Sequence, residues 1–137
     1  MTANGERGFQ VRALGEIALR CRDFEAMTGF YRDTLGLSPL EGGHREGILF
    51  FTLGEGYGGH TAVLALFSDA GGAAVSGVKS SLHHLAFSLG AAEQVAAMAW
   101  FDAIALPYRI EEFPWIGWRG VFVTDPDGNT VELVAKV

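Results

Sequence analysis

The same order of secondary structure is predicted twice along this chain, and that repeat limits the fold more than any other feature. In each half a strand comes first, a helix second and three strands last, judged from the period of the apolar residues. The helices are predicted between Asp23 and Gly36 and over 91–105, where Pro107 ends the second one. The predicted strands are 16–21, 38–43, 47–54, 61–67, 83–89, 108–113, 119–125 and 130–137.

The two halves also align at nearly one period. Glu16 aligns with His84, 68 residues further on, and Ala65 aligns with Glu132, 67 residues further on. Strands joined by short turns such as "DPDG" pair antiparallel, and one helix covers one face of each sheet. We therefore predict an α+β fold in a single domain, 1–137. It consists of module one (about 13–67), a Gly-rich linker (68–81) and module two (about 82–137).

Composition narrows the classes of partner and compartment. At 137 residues and 49% hydrophobic, the chain is long and apolar enough for one packed domain. Its net charge of -6 argues against nucleic acid and against an anionic membrane surface. A single cysteine, Cys21, allows no intrachain disulfide, and we find no signal peptide or membrane span. We expect a cytoplasmic protein.

Strand alternation places three polar side chains on equivalent faces of the predicted sheets. Glu16, His84 and Glu132 all lie on the face that the apolar residues leave free. One imidazole and two carboxylates suit a divalent cation, and Mg²⁺, Mn²⁺, Fe²⁺, Ni²⁺ or Zn²⁺ all fit such donors. The alternative is that these are ordinary solvent-facing residues, as most acidic side chains are.

Five further side chains are candidates for contact with a substrate. His60 opens the strand that carries Ala65, and Tyr57 lies in the hairpin before it. The loop "FPWIGWRG" holds Trp115, Trp118 and Arg119, which can line a cleft for an aromatic or anionic ligand or pack locally. "GEGYGG" (54–59) matches a dinucleotide motif in letters only, because no helix follows it.

The chain resembles the vicinal oxygen chelate superfamily, which includes glyoxalase I, extradiol dioxygenases and bleomycin resistance proteins. The resemblance rests on three stretches that span nearly the whole chain: "GEIALRCRDFEAMTGFYRDTLGL" (15–37), "HHLAFSL" (83–89) and "FVTDPDGNTVEL" (122–133). It implies paired βαβββ modules, each curling a mixed sheet around a metal cleft, and it implies a homodimer in many small members. No nucleic acid or membrane partner is expected.

Matched position by position, the resemblance implies metal ligands at Glu16, His84 and Glu132. A fourth family ligand falls at Ala65, which cannot bind a metal. The first ligand is commonly a histidine, so Glu16 is expected either to bind the metal or to act as a catalytic base. The family's enzymes include lyases, isomerases and dioxygenases that hold two adjacent substrate oxygens on the metal.

Three hypotheses stay open from the sequence. The first is a metal-dependent enzyme that acts on an unidentified small molecule. The second is a binding protein without catalysis, similar to bleomycin resistance proteins, in which Trp115 and Trp118 hold a planar ligand. The third is a dimeric domain whose polar residues only face solvent.

Overall fold

A computed structural model describes residue 8 and residues 11–68 and 82–137 of the chain. The predicted linker lies outside these residues except for Ser68, which is the last residue of a strand. The chain divides into two compact units, Met1–Ala74 and Val75–Val137, which contain modules one and two respectively.

Module one contains a four-stranded mixed sheet with one helical region. Its elements are β1 (Glu16–Cys21), α1 (Phe24–Gly29), a π-helical segment (Phe30–Thr34), β2 (Ser38–Arg45), β3 (Ile48–Glu55) and β4 (Thr61–Ser68). The strands lie in the order β1-β4-β3-β2, in which β1 is parallel to β4 and the other pairs are antiparallel.

Module two repeats this arrangement. Its elements are β5 (Leu85–Ser88), α2 (Ala91–Ala103), β6 (Arg109–Phe113), β7 (Trp118–Thr124) and β8 (Thr130–Lys136). The strands lie in the order β5-β8-β7-β6, with β5 parallel to β8 and the other pairs antiparallel. The predicted α+β fold of two βαβββ modules is therefore confirmed.

The strand register supports the internal repeat independently of the sequence alignment. Ala18 of β1 pairs with Ala65 of β4, and Ala86 of β5 pairs with Glu132 of β8. These pairs are again separated by 68 and 67 residues along the chain. Ala65 and Glu132 therefore occupy equivalent positions in the two sheets.

The first helical region begins and ends where the sequence predicts, but its interior differs. The Asp23 side chain accepts a hydrogen bond from the Ala26 N–H at 3.0 Å and caps α1. Gly36 ends the region with φ of +79°, a backbone conformation that glycine adopts without strain. The predicted helix is α-helical only as far as Gly29, and beyond it the Leu35 N–H bonds to the Phe30 carbonyl five residues back.

Each sheet buries one face against its own helix. In module one, α1 packs against β4, and Met27 and Leu64 are fully buried. In module two, α2 packs against β8, and the buried residues Val131 and Leu133 alternate with Glu132 along that strand. The face of each sheet away from the helix is the one on which the sequence predicts a site. None of the helices that the structure describes is long and apolar enough to cross a bilayer.

Candidate active site

The candidate site lies on the face of the module-two sheet away from α2. On β8, Glu132 pairs with Ala86 of β5 on one side and with Phe122 of β7 on the other. Paired residues share a face, and alternation along β7 adds Gly120 and Trp118 to it. His84 joins this face immediately before β5 begins. The face therefore carries a carboxylate, an imidazole and two aromatic rings.

Glu132 is buried, with 6% of its surface exposed, although it lies on the face that the helix leaves free. Its Oε1 lies 3.1 Å from Nε2 of His84, whose side chain is 33% exposed. Burying a carboxylate is costly unless a charged or hydrogen-bonding partner is present, and His84 is that partner among the described residues. Glu132 is therefore not a solvent-facing strand residue.

Gly120 provides the space that the Glu132 carboxylate occupies. A Cβ on Gly120 would overlap Oε2 of Glu132 and would lie 2.7 Å from Cε1 of Phe122. By the strand register, the equivalent residue in module one is Ile48, which stands beside Ala65 instead of a glutamate. The sequence alone did not identify Gly120, because its importance appears only when β7 and β8 are paired.

His83 forms part of the same cluster. Its parity along the strand predicts that it points toward the helix side or lies at a strand end, and the structure places it before β5, which begins at Leu85. Its side chain is exposed and its Nδ1 lies 2.8 Å from Nδ1 of His84. The two rings are nearly perpendicular, with centroids 5.0 Å apart. Glu132, His84 and His83 therefore form a continuous chain of polar contacts.

Phe122 and Arg109 extend the face toward the sheet edge. The Phe122 ring lies edge-on to His84, with centroids 6.1 Å apart. The guanidinium of Arg109 lies 4.1 Å from the centroid of the Phe122 ring and also forms an ion pair with Glu111. Sequence reasoning missed both Phe122 and Arg109, although Phe122 has the same parity along β7 as Trp118.

The loop residues predicted to contact a substrate lie in different places. Trp118 is on the Glu132 face and is 44% exposed, and Trp115 is in the turn before β7 and is 82% exposed. Arg119 is on the opposite face, because it alternates with Trp118 and Gly120. Its Nε donates a hydrogen bond to Oε1 of the buried Gln94 at 2.6 Å.

Module one holds the remaining predicted residues. Glu16 is exposed at the start of β1, and Ala65 is fully buried on β4. His60 is exposed, and its ring lies against Gly15, where a Cβ would be 3.2 Å from the His60 Cε1. Tyr57 is 60% exposed, and its ring carries the guanidinium of Arg12 at 5.5 Å.

The donors present in module two fit two positions of a metal coordination sphere. Ligand atoms about 2.1 Å from one cation and at right angles to each other are about 3 Å apart. The 3.1 Å between His84 Nε2 and Glu132 Oε1 matches that separation. Within residues 11–68 and 82–137, no group of three or more His, Cys, Asp or Glu side chains that could hold a metal ion is present.

Several solved structures resemble this chain along most of its length. Lactoylglutathione lyase from Agrobacterium tumefaciens is 26% identical, with a TM-score of 0.65 over 90% of this chain and 92% of that one. A glyoxalase/dioxygenase from Nostoc punctiforme is 21% identical, with a TM-score of 0.69 over 100% and 96% of the two chains.

A fosfomycin resistance protein from Listeria monocytogenes shares the fold at 16% identity, with a TM-score of 0.67 over 93% of this chain and 96% of that one. No curated protein matches the chain. The family model described as the Glyoxalase/Bleomycin resistance protein/Dioxygenase superfamily matches residues 13–133. The chain belongs to that superfamily, which contains the glyoxalase and fosfomycin resistance proteins of the vicinal oxygen chelate fold.

Proposed function

We propose that this protein is a divalent-metal-dependent enzyme of its superfamily, acting on a small molecule through two adjacent oxygen atoms. His84 and Glu132 are metal ligands, and Glu16 is either the third ligand or the catalytic base. The observation that carries the proposal is the buried Glu132 carboxylate, whose Oε1 lies 3.1 Å from Nε2 of His84.

The surroundings of Glu132 favour a ligand over a purely structural ion pair. A structural role needs only a buried apolar residue, as module one shows with Ala65 at the equivalent position. Module two instead keeps a carboxylate there and a glycine at 120 that leaves room for it. Replacing an ion pair by apolar residues is often neutral or stabilising, so stability alone does not explain the carboxylate.

A bound metal would supply Lewis-acid stabilisation of negative charge that develops on substrate oxygens. The chain's own residues would hold that metal and exclude water: His84 and Glu132 bind it, while Phe122 and Trp118 form an apolar wall on the same face. Oxygen-rich donors with one imidazole suit Mn²⁺ or Mg²⁺, and the imidazole adds affinity for Fe²⁺, Ni²⁺ or Zn²⁺.

Lyase or isomerase chemistry is our first choice of reaction. The 26% identity to a lactoylglutathione lyase supports it, although Ala65 removes the fourth ligand that the resemblance to glyoxalase I implies. Dioxygenase chemistry is the next choice, supported by membership of the superfamily alone. We propose a homodimer in the cytoplasm, the compartment that fits a chain with a single cysteine, the buried Cys21.

A binding protein without catalysis is the second candidate. Trp118 is 44% exposed on the same face as Phe122, so its ring is available there for a planar ligand. Such a protein would bind its ligand without metal, and removing the Glu132 charge would leave metal content unchanged.

Metal content tests the proposal directly. Untagged protein purified without chelator, and then titrated with Mn²⁺, Fe²⁺, Ni²⁺ and Zn²⁺, is measured by elemental mass spectrometry. We expect near-stoichiometric metal in the wild type and a loss of it in Glu132→Gln and His84→Ala. The matched controls are Glu41→Gln and His44→Ala, which change exposed residues of β2 in module one. Wild-type protein that takes up no metal would reject the proposal.

Glu16→Gln separates the two roles proposed for Glu16. Loss of metal from this variant identifies Glu16 as a ligand. Full metal content with loss of turnover identifies it as a base. Substrates for the turnover measurement are vicinal diols and α-keto thioesters, which present two adjacent oxygens that a metal can hold, and epoxides, which present one.

A further inference from the structure

We propose that His83 is a positioning residue for His84, acting through a hydrogen bond between the two Nδ1 atoms. This inference rests on the proposed function, because it gives His83 a role in presenting His84 Nε2 to a metal. It extends the site to a histidine that is not among the three predicted metal ligands.

The geometry defines a three-residue chain of contacts. His84 Nε2 lies 3.1 Å from Oε1 of Glu132, and His84 Nδ1 lies 2.8 Å from Nδ1 of His83. Both nitrogens of the His84 ring are therefore engaged, which fixes the ring's orientation. The ring also packs edge-on to Phe122. A ring fixed at both nitrogens and along one edge loses little further entropy when it binds a ligand.

The protons of the two rings are coupled by this arrangement. Without metal, His84 Nε2 faces a carboxylate and must donate, so a neutral His84 has no proton on Nδ1. His83 Nδ1 then donates to it. With a metal held at Nε2, a neutral His84 would carry its proton on Nδ1 and donate it, and His83 Nδ1 would accept. His83 meets both requirements by moving its own proton to Nε2.

The exposure of His83 makes that exchange possible. The side chain is exposed, so protons reach the ring from water without opening the fold. Outer partners of a metal-binding histidine commonly fix its tautomer, and losing one costs about 10- to 100-fold in metal affinity. A carbonyl or carboxylate in this place could only accept, so it would suit the metal-bound state alone.

Four variants test the role through Zn²⁺ affinity, measured by competition with a chromophoric chelator. Asparagine places its amide oxygen and nitrogen where His83 carries Nδ1, so it can accept or donate there. We expect His83→Asn to stay within about threefold of wild type. His83→Gln, which reaches only the Nε2 position, and His83→Phe, which has no polar atom, should lose about 10- to 100-fold. His44→Phe is the matched control and should not change.

The tautomer of His83 provides a readout that needs no metal. In ¹⁵N-labelled, metal-free protein, long-range ¹H–¹⁵N correlation spectra should show the His83 proton on Nδ1. Free histidine side chains in water favour Nε2 instead. His84→Phe should return His83 to the Nε2 form, and Zn²⁺ should do the same in the wild type.

The two measurements separate failure of this inference from failure of the proposed function. Zn²⁺ binding that is equal in His83→Phe and wild type overturns the inference and leaves the proposed function standing. If the wild type takes up none of Mn²⁺, Fe²⁺, Ni²⁺ and Zn²⁺, the proposed function fails and the spectra alone decide. A proton on Nδ1 then supports the contact between the histidines, and a proton on Nε2 overturns it.

Discussion

At the scale of single residues, the site depends on a match of volume between neighbouring strands. Gly120 lies on β7 beside the carboxylate of Glu132 on β8, and any side chain at 120 would enter the space of Oε2. We expect Gly120→Ala to displace the carboxylate from His84. Metal affinity should fall about 10- to 100-fold, which is the usual effect of losing a residue that orients a metal ligand. Overpacking should lower the free energy of unfolding by about 1–3 kcal/mol.

The same change elsewhere is a direct control for Gly120→Ala. Gly29 ends α1 in a helical conformation, and the nearest atom to a Cβ there is 3.9 Å away. Gly29→Ala should raise the free energy of unfolding by about 0.5–1 kcal/mol and leave metal affinity unchanged. Urea denaturation and Zn²⁺ titration measure both effects. Equal metal binding in Gly120→Ala and wild type would contradict the role of Gly120.

Single residues are also where sequence reasoning reached its limit. Glu16, His84 and Glu132 were predicted to lie on equivalent faces because alternation along a strand fixes the direction of each side chain, and for His84 it holds one residue before β5 begins. His83 was predicted to point toward the helix side or to lie at a strand end, and the start of β5 at Leu85 decides for the strand end. The burial of Glu132 depends on Phe122 and Gly120, which are neighbours only after the strands pair.

At the scale of elements, one buried side chain fastens the helix of module two to its sheet. Gln94 on α2 is fully buried, and its Nε2 donates to the carbonyl oxygens of Arg119 at 2.7 Å and Leu133 at 2.8 Å. These carbonyls belong to β7 and β8, so Gln94 ties three elements together. The Arg119 side chain returns a hydrogen bond to its Oε1.

Replacing Gln94 with methionine keeps the length of the side chain and removes these bonds. We expect Gln94→Met to lower the free energy of unfolding by about 2–4 kcal/mol, because two buried carbonyls lose their donor. Ala96→Met, on an exposed part of the same helix, should change it by less than about 0.5 kcal/mol. Urea denaturation followed by circular dichroism compares the two variants, and equal midpoints would refute this account of Gln94.

The turn between β7 and β8 is built around Asp125, which is 3% exposed. Its Oδ1 accepts hydrogen bonds from the backbone N–H groups of Asp127 and Asn129 at 3.0 and 2.9 Å. Its Oδ2 accepts one from the Asn129 side chain at 2.8 Å. The motif "DPDGN" is therefore a self-bonded turn that sets where β8, and with it Glu132, begins.

Shortening Asp125 should unfold this turn before it affects the rest of the sheet. We expect Asp125→Ala to cost about 2–3 kcal/mol of unfolding free energy, since it leaves two part-buried N–H groups without their acceptor. Asp125→Asn keeps one oxygen for those N–H groups and should cost less than half as much. Thermal and urea denaturation of both variants give the comparison. A cost that is equal for alanine and asparagine would show that the oxygen acceptor is not what matters.

The ends of the strands were predicted more reliably than the hydrogen bonding within the first helical region. The predicted β1 agrees with the structure at both ends, and β8 ends one residue earlier than predicted. Alternation and turn residues fix such limits locally. The π-helical segment after Gly29 was not predictable, because the adjacent rings of Phe30 and Tyr31 are both buried and only the packed module shows this.

At the scale of the whole molecule, the chain uses one architecture twice and gives the two copies different chemistry. The register pairs Ala65 of module one with Phe50, and it pairs Glu132 of module two with Phe122. The residue diagonal to each is Ile48 in module one and Gly120 in module two. Module one thus has the small Ala65 beside the large Ile48, where module two has the carboxylate of Glu132 beside Gly120. The sequence predicted the repeat but could not show this exchange.

A double-mutant cycle in module one tests whether that exchange is a coupled pair. Ala65→Glu alone should cost about 3 kcal/mol or more, because it buries a carboxylate against the Ile48 side chain. Ile48→Gly alone should lose the packing of one apolar side chain and cost about 2–4 kcal/mol. If Gly120 accommodates Glu132 as we infer, the double variant should lose less unfolding free energy than the two single variants lose in sum. The difference should be at least about 1 kcal/mol.

The control for this cycle combines Ala65→Glu with Leu49→Gly, since Leu49 lies on the opposite face of β3, buried on the helix side. Its costs should add within about 0.5 kcal/mol, because the two side chains share no contact across the sheet. Guanidinium denaturation gives the unfolding free energy of the wild type and of every single and double variant, and each cost is the difference from the wild type. Additivity in both cycles would mean that the glycine beside Glu132 is incidental. Coupling confined to Ile48 would mean that a repeat of this kind acquires a carboxylate site only when the neighbouring strand clears space for it.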